Sequence, residues 1–216
     1  MIMVDHETAS DRDRLLLATL PHVAFDGWSA AAIGAGAAAI GMNEAQARIL
    51  FPGGGAEAIK HFIDLADRMM VTDLTRAITP DMRLRDKAAL AIRLRLERWS
   101  SYREAVRRSL PSTVLRDPVR AAGALYRTVD AIWRGLGDRS IDFNFYSKRA
   151  LLAAVYASTL MYWLDDRSDG CGATWSFLDR RIANVMQIPK LQQRVRDRLA
   201  RLPDPMGLLR RLRPAS

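Results

Sequence analysis

Fifteen consecutive apolar or small residues at positions 150–164 limit the possible folds of this chain more than any other stretch. As a helix with a rise of about 1.5 Å per residue, they would span roughly 22 Å. That is too short for the roughly 30 Å hydrocarbon core of a bilayer. Charges also stand at both ends, Lys148 and Arg149 before the run and Asp165 and Asp166 after it. The run therefore predicts a core helix that other helices surround on nearly all sides, and not a membrane span.

The rest of the chain repeats apolar residues every three or four positions, and β-branched runs and hairpin dipeptides are nearly absent. This spacing predicts an all-α protein of about nine or ten helices. Ser29 and Asp117 are predicted N-caps, the second followed by Pro118 at the first helical position. Pro21 is expected to kink or split the first helix. The main predicted helices cover residues 10–26, 30–40, 44–50, 56–78, 82–99 and 174–186.

The segment 30–50 has the layout of a helix-turn-helix. A helix of small residues ends at Ile40, a Gly-Met-Asn turn follows at 41–43, and Phe51 and Pro52 close the short second helix. This order is similar to the N-terminal module of TetR-type repressors, in which an aromatic-proline pair follows the recognition helix. We therefore predict that this module is present.

The second helix of this module is poorly suited to DNA. A DNA reader needs donors for base edges and basic groups for phosphates. This helix begins with the carboxylate of Glu44 and offers only Gln46 and Arg48, and three glycines follow at 53–55, where repressors usually place a lysine. The prediction is a retained fold without nucleic-acid binding, and an active repressor is the alternative.

Two motifs flank the apolar run. The first reads Asp-Phe-Asn-Phe-Tyr-Ser-Lys-Arg at 142–149, where Asn144 is a predicted N-cap, and the second reads Thr-Trp-Ser-Phe-Leu-Asp-Arg-Arg at 174–181. Together they resemble the accessory family of coenzyme Q (ubiquinone) biosynthesis, that of the ninth Coq protein of mitochondria and alphaproteobacteria. Phe145 stands where that family has Trp. The matching residues are Asp142, Phe143, Asn144, Tyr146, Arg149, Ala150, Leu152, Ala153, Ala154, Tyr156, Thr174, Trp175, Phe177, Leu178 and Arg181.

The resemblance implies a TetR-repressor-like bundle in three parts. These are a degenerate helix-turn-helix domain at 10–55, a lipid- and partner-binding domain at 56–202, and a hinge with an amphipathic membrane-binding tail at 203–216. It further implies a homodimer that binds an isoprenoid quinone intermediate or a phospholipid. The family's function is to present the quinone intermediate to the di-iron demethoxyubiquinone hydroxylase.

Two sets of candidate residues follow for the lipid and the hydroxylase. Mixtures of Met and Ala pack loosely and adapt to long chains, so a lipid cavity is expected beside them, with an ordinary dry core as the alternative. Aromatic side chains next to an acid and an arginine are typical of an interface hot spot, with packing under the 134–141 loop as the alternative. The lipid candidates are Met69, Met70, Leu152, Val155, Tyr156, Leu160 and Met161. The partner candidates are Asp142, Phe145, Tyr146 and Arg149.

The net charge of +9 is concentrated near the end of the chain. Residues 190–213 hold eight basic residues and only two acidic ones, and two prolines at 203 and 205 predict a stiff hinge. Beyond the hinge, leucines and arginines segregate to opposite faces, as in a short interfacial helix that docks weakly on an anionic membrane. The candidate membrane-binding residues are Leu208, Leu209, Leu212, Arg210, Arg211 and Arg213.

Motifs for catalysis are missing from the sequence. None of the five glutamates has a histidine three residues later, as a di-iron bundle requires. Cys171 is the one cysteine, and His61 is interpreted as a solvated side chain rather than a metal ligand. The arginines of the 82–99 helix, Arg95 among them, are interpreted as a wet face. A protein without catalytic residues, metal or cofactor is therefore predicted.

Two function classes remain open. The first is the lipid-binding accessory protein, and the second is a TetR-type transcriptional regulator with an apolar effector. The second helix of the helix-turn-helix offers few groups that could contact DNA, and the tail is basic and amphipathic. Both features favour the lipid-binding accessory protein. The acidic N-terminus resembles neither a secretory signal nor a transit peptide, so the expected location is the bacterial cytoplasm, peripheral to the inner membrane.

Overall fold

The computed structural model describes residues 10–111, 117–137 and 143–185, of which 143–148 are described as helical backbone only. Within these ranges the chain forms nine α-helices and no strand, which confirms the all-α prediction. A short 3₁₀ helix, Ser100–Tyr102, joins the fifth helix to the sixth. The α-helices are α1 Asp11–Asp26, α2 Ala30–Ala39, α3 Glu44–Leu50, α4 Gly54–Ala77, α5 Leu84–Glu97, α6 Arg103–Leu110, α7 Pro118–Gly135, α8 Phe143–Asp165 and α9 at 172–185.

The predicted caps of two helices are confirmed. The Ser29 hydroxyl accepts a hydrogen bond from the Ala32 amide at 3.2 Å, and the Asp117 carboxylate accepts one from the Arg120 amide at 2.9 Å. Pro21 does not divide α1, which continues to Asp26. The side chain of Pro21 is exposed, so solvent can compensate for the hydrogen bond that its missing N–H removes.

Helices α1 to α4 enclose the first of two hydrophobic cores. Leu15, Leu16 and Leu20 of α1 are fully buried in it. Gly36 of α2 is required where α2 crosses α1, because a Cβ there would come within 2.7 Å of the Thr19 amide nitrogen. This close crossing holds α2 of the helix-turn-helix against α1.

The second core lies among α4, α5, α7, α8 and α9. Helix α4 is shared, since Phe62 packs in the first core and Met70 and Leu74 pack in the second. The indole N–H of Trp28 also donates to the Ala105 carbonyl of α6 at 2.9 Å, which ties the N-terminal module to the body. The predicted division near residue 55 therefore falls at the start of a continuous helix, and it stays a prediction.

Helix α8 contains the apolar run, and it is less enclosed than predicted. Trp163 and Val155 are buried in the second core, but the side chains of Met161 and Tyr162 are 55% and 40% exposed. One side of α8 is therefore uncovered in the described part of the chain.

His61 is not the solvated side chain that we expected. Its Nε2 lies 2.7 Å from Oδ1 of Asp13, and Arg68 donates to both oxygens of the same carboxylate. Burial alone would raise the pKa of Asp13, but the hydrogen bonds and charges of Arg68 and His61 outweigh it and hold the pKa below its ordinary value. The interpretation missed this pair because Asp13 is 48 residues away and reaches His61 only when α1 packs on α4.

Candidate functional site

A cavity of about 370 Å³ lies in the body of the protein, among α4, α5, α6, α7 and α8. Its wall is mostly apolar, and the exposed residues Met161 and Pro118 are part of it, which indicates where it reaches the surface. The apolar lining consists of Phe62, Ile63, Leu96, Trp99, Val106, Leu110, Pro118, Ala121, Ala122, Ala124, Leu125, Ala157, Leu160, Met161 and Trp163.

The sequence leaves this space open by setting small residues opposite large ones. Helix α7 contributes three alanines to the wall, at 121, 122 and 124, where a larger side chain would fill the volume. On the opposite side Trp99 and Trp163 are almost completely buried, and Phe62 packs edge-on against Trp99 with ring centroids 4.8 Å apart. Large aromatic groups on several helices therefore hold the walls apart.

Most of the polar lining belongs to a hydrogen-bonded group of four buried side chains, which we call the Arg95 cluster: Asp67, Arg95, Thr128 and Tyr156. Nε of Arg95 donates to Asp67 at 2.8 Å, and Nη1 of Arg95 donates to the Tyr156 hydroxyl at 2.7 Å. Thr128 donates to the second oxygen of Asp67 at 3.0 Å. Arg95, Thr128 and Tyr156 line the cavity, so the cluster forms a polar end in a mostly apolar space, to which Ser109 of α6 adds one further hydroxyl.

Two members of the cluster have shifted pKa values. Burial raises the pKa of the Tyr156 phenol, against the lowering effect of the Arg95 charge. Burial would lower the pKa of Arg95, but the influence of Tyr156 and Asp67 outweighs it and raises that pKa instead. Both shifts favour a neutral phenol and a charged guanidinium at neutral pH. The cluster therefore combines one carboxylate and one cation with no net charge.

The wet-face interpretation of Arg95 is wrong. Its side chain is only 9% exposed, because Asp67 of α4 and Tyr156 of α8 surround it. Asp67 interrupts the apolar face of α4 between Ile63 and Met70, and this interruption is the signal in the sequence that could have revealed a buried cation.

The lipid candidates divide into two groups. Tyr156, Leu160 and Met161 line the cavity. Met70, Leu152 and Val155 are buried in the second core, and Met69 packs against the first, so these four are absent from the lining. The contributions of α5, α6 and α7 were missed, as were Phe62 and Ile63 of α4, since helical spacing marks an apolar face without showing that a void lies behind it.

Of the partner candidates, only Arg149 has a described side chain. Asp142 lies outside the described residues, as do the side chains of Phe145 and Tyr146. The predicted N-cap at Asn144 is wrong, because α8 already includes Phe143 and Asn144 is a residue of the helix itself. Arg149 is not exposed as expected: its side chain is 3% exposed and lies 2.9 Å from Asp130 of α7. This ion pair between α7 and α8 buries the Arg149 side chain, so it offers little surface for a partner to contact.

The second motif forms the junction between α8 and α9. Thr174 donates to Asp166 through its amide at 2.8 Å and its hydroxyl at 2.5 Å, and Ser168 donates to the other oxygen. Trp175 donates to the Gly170 carbonyl at 2.8 Å. Although burial raises the pKa of Asp166, these hydrogen bonds outweigh it and leave the pKa well below its ordinary value.

The same motif also forms an aromatic stack on the outside of the bundle. Phe177 stacks on Tyr162 with ring centroids 4.6 Å apart. The guanidinium carbon of Arg181 lies over the Phe177 ring, 4.9 Å from the ring centroid. We call Tyr162, Phe177 and Arg181 the α8–α9 stack. It adds partly exposed aromatic surface beside Met161.

The polar side chains of α3 are already engaged. The side chain of Gln46 accepts from the Asn43 amide at 3.0 Å in a capping box, and Arg48 donates to Glu44 at 2.7 Å. Both of the residues that could contact DNA therefore already make local interactions at α3, and Ile49 is the largest exposed apolar group of this helix.

The structure bears on the predictions about membranes and metals only within the described residues. The predicted tail, with Leu208, Leu209, Leu212, Arg210, Arg211 and Arg213, lies outside the described residues. Among the described helices none combines the length and hydropathy needed to cross a bilayer. In the same residues His, Cys, Asp and Glu side chains do not gather into a group that could hold a metal ion.

Comparisons with known proteins agree with the motifs. Residues 119–189 match the family model described as COQ9. The chain is 31% identical over 205 residues to the mitochondrial ubiquinone biosynthesis protein COQ9 of Homo sapiens, covering 89% of this chain and 63% of that protein. The Drosophila melanogaster COQ9 protein is 32% identical over 184 residues, 82% of this chain and 56% of that protein. The chain thus spans less than two thirds of the length of these relatives.

One solved structure has a fold similar to that of this chain. The crystal structure of a TetR transcriptional regulator from Nitrosomonas europaea superposes with a TM-score of 0.66, covering 81% of this chain and 97% of that one at 21% identity. This likeness confirms the predicted TetR-like architecture.

Proposed function

We propose that this chain is a member of the COQ9 family, on the match of residues 119–189 and the likeness to COQ9 proteins over most of its length. From that premise, it acts in ubiquinone biosynthesis by binding an isoprenoid quinone intermediate. In this proposal the protein is an accessory factor without catalysis of its own, and it presents the lipid to the di-iron demethoxyubiquinone hydroxylase. The observation that carries the proposal is the apolar cavity among α4 to α8.

The size and lining of the cavity suit part of such a lipid. A volume of about 370 Å³ lies toward the small end of the roughly 300–1,000 Å³ usual for small-molecule sites. It accommodates a ring and a short length of isoprenoid chain, and a longer tail would continue over the exposed side of Met161. Transfer of apolar surface from water to this lining is the driving force.

A link between the cavity and the partner is supported by their common helix. Residues 143–149 of the first motif form the first turns of α8, and three cavity residues, Tyr156, Leu160 and Met161, lie further along the same helix. Ten residues separate Tyr146 from Tyr156, which corresponds to about 15 Å along a helix. Contact of the hydroxylase with Asp142, Phe145 and Tyr146 would therefore occur at the start of the helix that also contacts the bound lipid.

Two further surfaces belong to the proposal. The tail beyond residue 203 would bring the protein to an anionic inner membrane, where the quinone intermediates reside. The α8–α9 stack and Met161 would pack against a second copy of the chain, because partly exposed aromatic and apolar groups are typical of interfaces. Neither surface requires a bound cofactor.

The test is recovery of lipid from protein purified without detergent. We expect organic extraction and mass spectrometry to yield an isoprenoid quinone or its precursor from the wild type. Leu160→Trp fills the cavity and should reduce the recovered lipid at least tenfold, whereas Ala154→Trp, on the exposed side of the same helix, should leave it unchanged. Absence of any isoprenoid from the wild type, or equal recovery from both variants, would refute the proposal.

A further inference from the structure

The Arg95 cluster contains more hydrogen-bond donors than acceptors. Arg95 uses Nε for Asp67 and Nη1 for Tyr156, and its Nη2 has no hydrogen-bond partner among the described residues. The Tyr156 hydroxyl accepts from Arg95, and within the same part of the chain its own proton has no acceptor. Both oxygens of Asp67 already accept, one from Arg95 and one from Thr128. The missing element of this cluster is therefore an acceptor.

The net charge of the cluster indicates which kind of acceptor would bind there. Asp67 balances Arg95 at 2.8 Å, so the polar end of the cavity has no net charge to offset an anion. A phosphate placed there would be a buried charge without its own counter-ion, which is costly. A neutral oxygen, such as a carbonyl or a ring ether, would accept from Nη2 and from the Tyr156 hydroxyl without this cost.

We propose that Arg95 and Tyr156 recognise the neutral oxygen-bearing ring of the bound lipid, so that the ligand enters the cavity ring first. This rests on the proposed function, because it assumes that the cavity binds an isoprenoid. Arg95 lines the cavity while being nine-tenths buried, and Met161 and Pro118 at the exposed side are apolar. The tail therefore lies toward the exposed side, where its length is not limited by the cavity volume.

Three probes of equal tail length separate the possibilities. The first is ubiquinone with two isoprene units, the second its analogue with methyl groups in place of all ring oxygens, and the third geranyl phosphate. Their dissociation constants are measured by isothermal titration calorimetry with the wild type, Arg95→Lys and Arg85→Lys. Lysine at 95 keeps the charge opposite Asp67 but loses the forked donors. Arg85 is an exposed arginine on the same helix and serves as the matched control.

For the wild type we expect the quinone to bind at least about tenfold more tightly than the oxygen-free analogue and than geranyl phosphate. Arg95→Lys should remove most of this preference while the analogue binds as before, and Arg85→Lys should retain it. The comparison of probes on the wild type stands even if Arg95→Lys does not fold, which a melting curve would reveal.

The contrary results are distinct. Equal binding of the quinone and its analogue, or tightest binding of geranyl phosphate, overturns the recognition of a neutral ring and leaves the lipid cavity standing. Failure of all three probes to bind the wild type overturns the proposed function together with this inference. A preference that survives unchanged in a folded Arg95→Lys variant shows that other donors select the ring.

Discussion

Arg149 and Asp130 form an ion pair between α8 and α7 whose disruption would leave a carboxylate in a buried position. Arg149→Ala should lower the free energy of unfolding by about 3 kcal/mol, the low end for a broken buried pair, because Arg134 still contacts Asp130. Urea unfolding measures the change. Arg134→Ala is the matched control, since that side chain is exposed and its loss should cost less than about 1 kcal/mol. Equal effects of the two variants would contradict the importance of burial.

A different result is expected for Tyr146, which lies three residues before Arg149 in the 142–149 motif. Tyr146→Ala should weaken capture of the hydroxylase in a pull-down by about 1–3 kcal/mol while the melting temperature moves little, as for an interface hot spot. Arg149→Ala provides the contrast, since its effect should be on stability. A large fall in melting temperature with unchanged capture by Tyr146→Ala would show that the tyrosine serves the fold.

Asp166 supplies a pH dependence with a defined sign. Its pKa is lowered on folding, so its contribution is complete above the unfolded value of about 4 and is lost as the pH falls below it. Asp166→Asn should cost about 1–3 kcal/mol at pH 7, because an amide cannot accept from both Ser168 and Thr174 as a carboxylate does. Unfolding curves at several pH values should show the two proteins converging toward pH 3. A gap that stays constant would exclude Asp166 as the titrating group.

At the scale of the helix, α3 explains why a TetR-like fold need not bind DNA. The Oε1 of Gln46 accepts in the capping box and Arg48 is paired with Glu44, so α3 offers few groups for a base or a phosphate. Arg48→Ala should therefore leave cellular ubiquinone content unchanged, and the wild type should give no sequence-specific shift with promoter fragments at physiological salt. A specific shift that Arg48→Ala abolishes would instead favour the transcriptional regulator.

Helix positions were the part of the fold that the sequence predicted best. Helix α4 was predicted at 56–78 and spans Gly54–Ala77, and α5 was predicted at 82–99 and spans Leu84–Glu97. Such bounds depend on apolar spacing and caps within a few residues of each other. The partners of Arg95 and His61 could not be predicted in this way, because they lie 28 to 61 residues away and meet only through helix packing.

At the scale of the whole molecule, the cavity is a property of five helices together. The sequence predicted its α8 side through Tyr156, Leu160 and Met161, since long apolar helices are readily recognised. It did not predict the α7 side, where Ala121, Ala122 and Ala124 look like ordinary helix formers. Whether small residues leave a void depends on what the opposite helices supply, which here is Trp99 and Trp163.

The tail beyond residue 203, which we predict to bind membranes, provides a test of the proposed function at the scale of the whole molecule. Truncation after Pro203 should abolish flotation with vesicles that contain an anionic phospholipid, while the melting temperature stays the same. Each arginine near an anionic surface contributes about 1 kcal/mol, so the loss of Arg210, Arg211 and Arg213 weakens binding roughly a hundredfold. Their share should diminish as added salt shortens the screening length.

A matched variant separates charge from hydrophobic contact. Replacing the same three arginines by glutamine keeps Leu208, Leu209 and Leu212, and should retain only weak, salt-insensitive binding to the vesicles. If the tail delivers the cavity to its lipid, both variants should also contain less isoprenoid when purified from cells, although their cavities are intact. Equal flotation with and without the tail would show that these residues are a basic end without a membrane role, and that lipid reaches the cavity by another route.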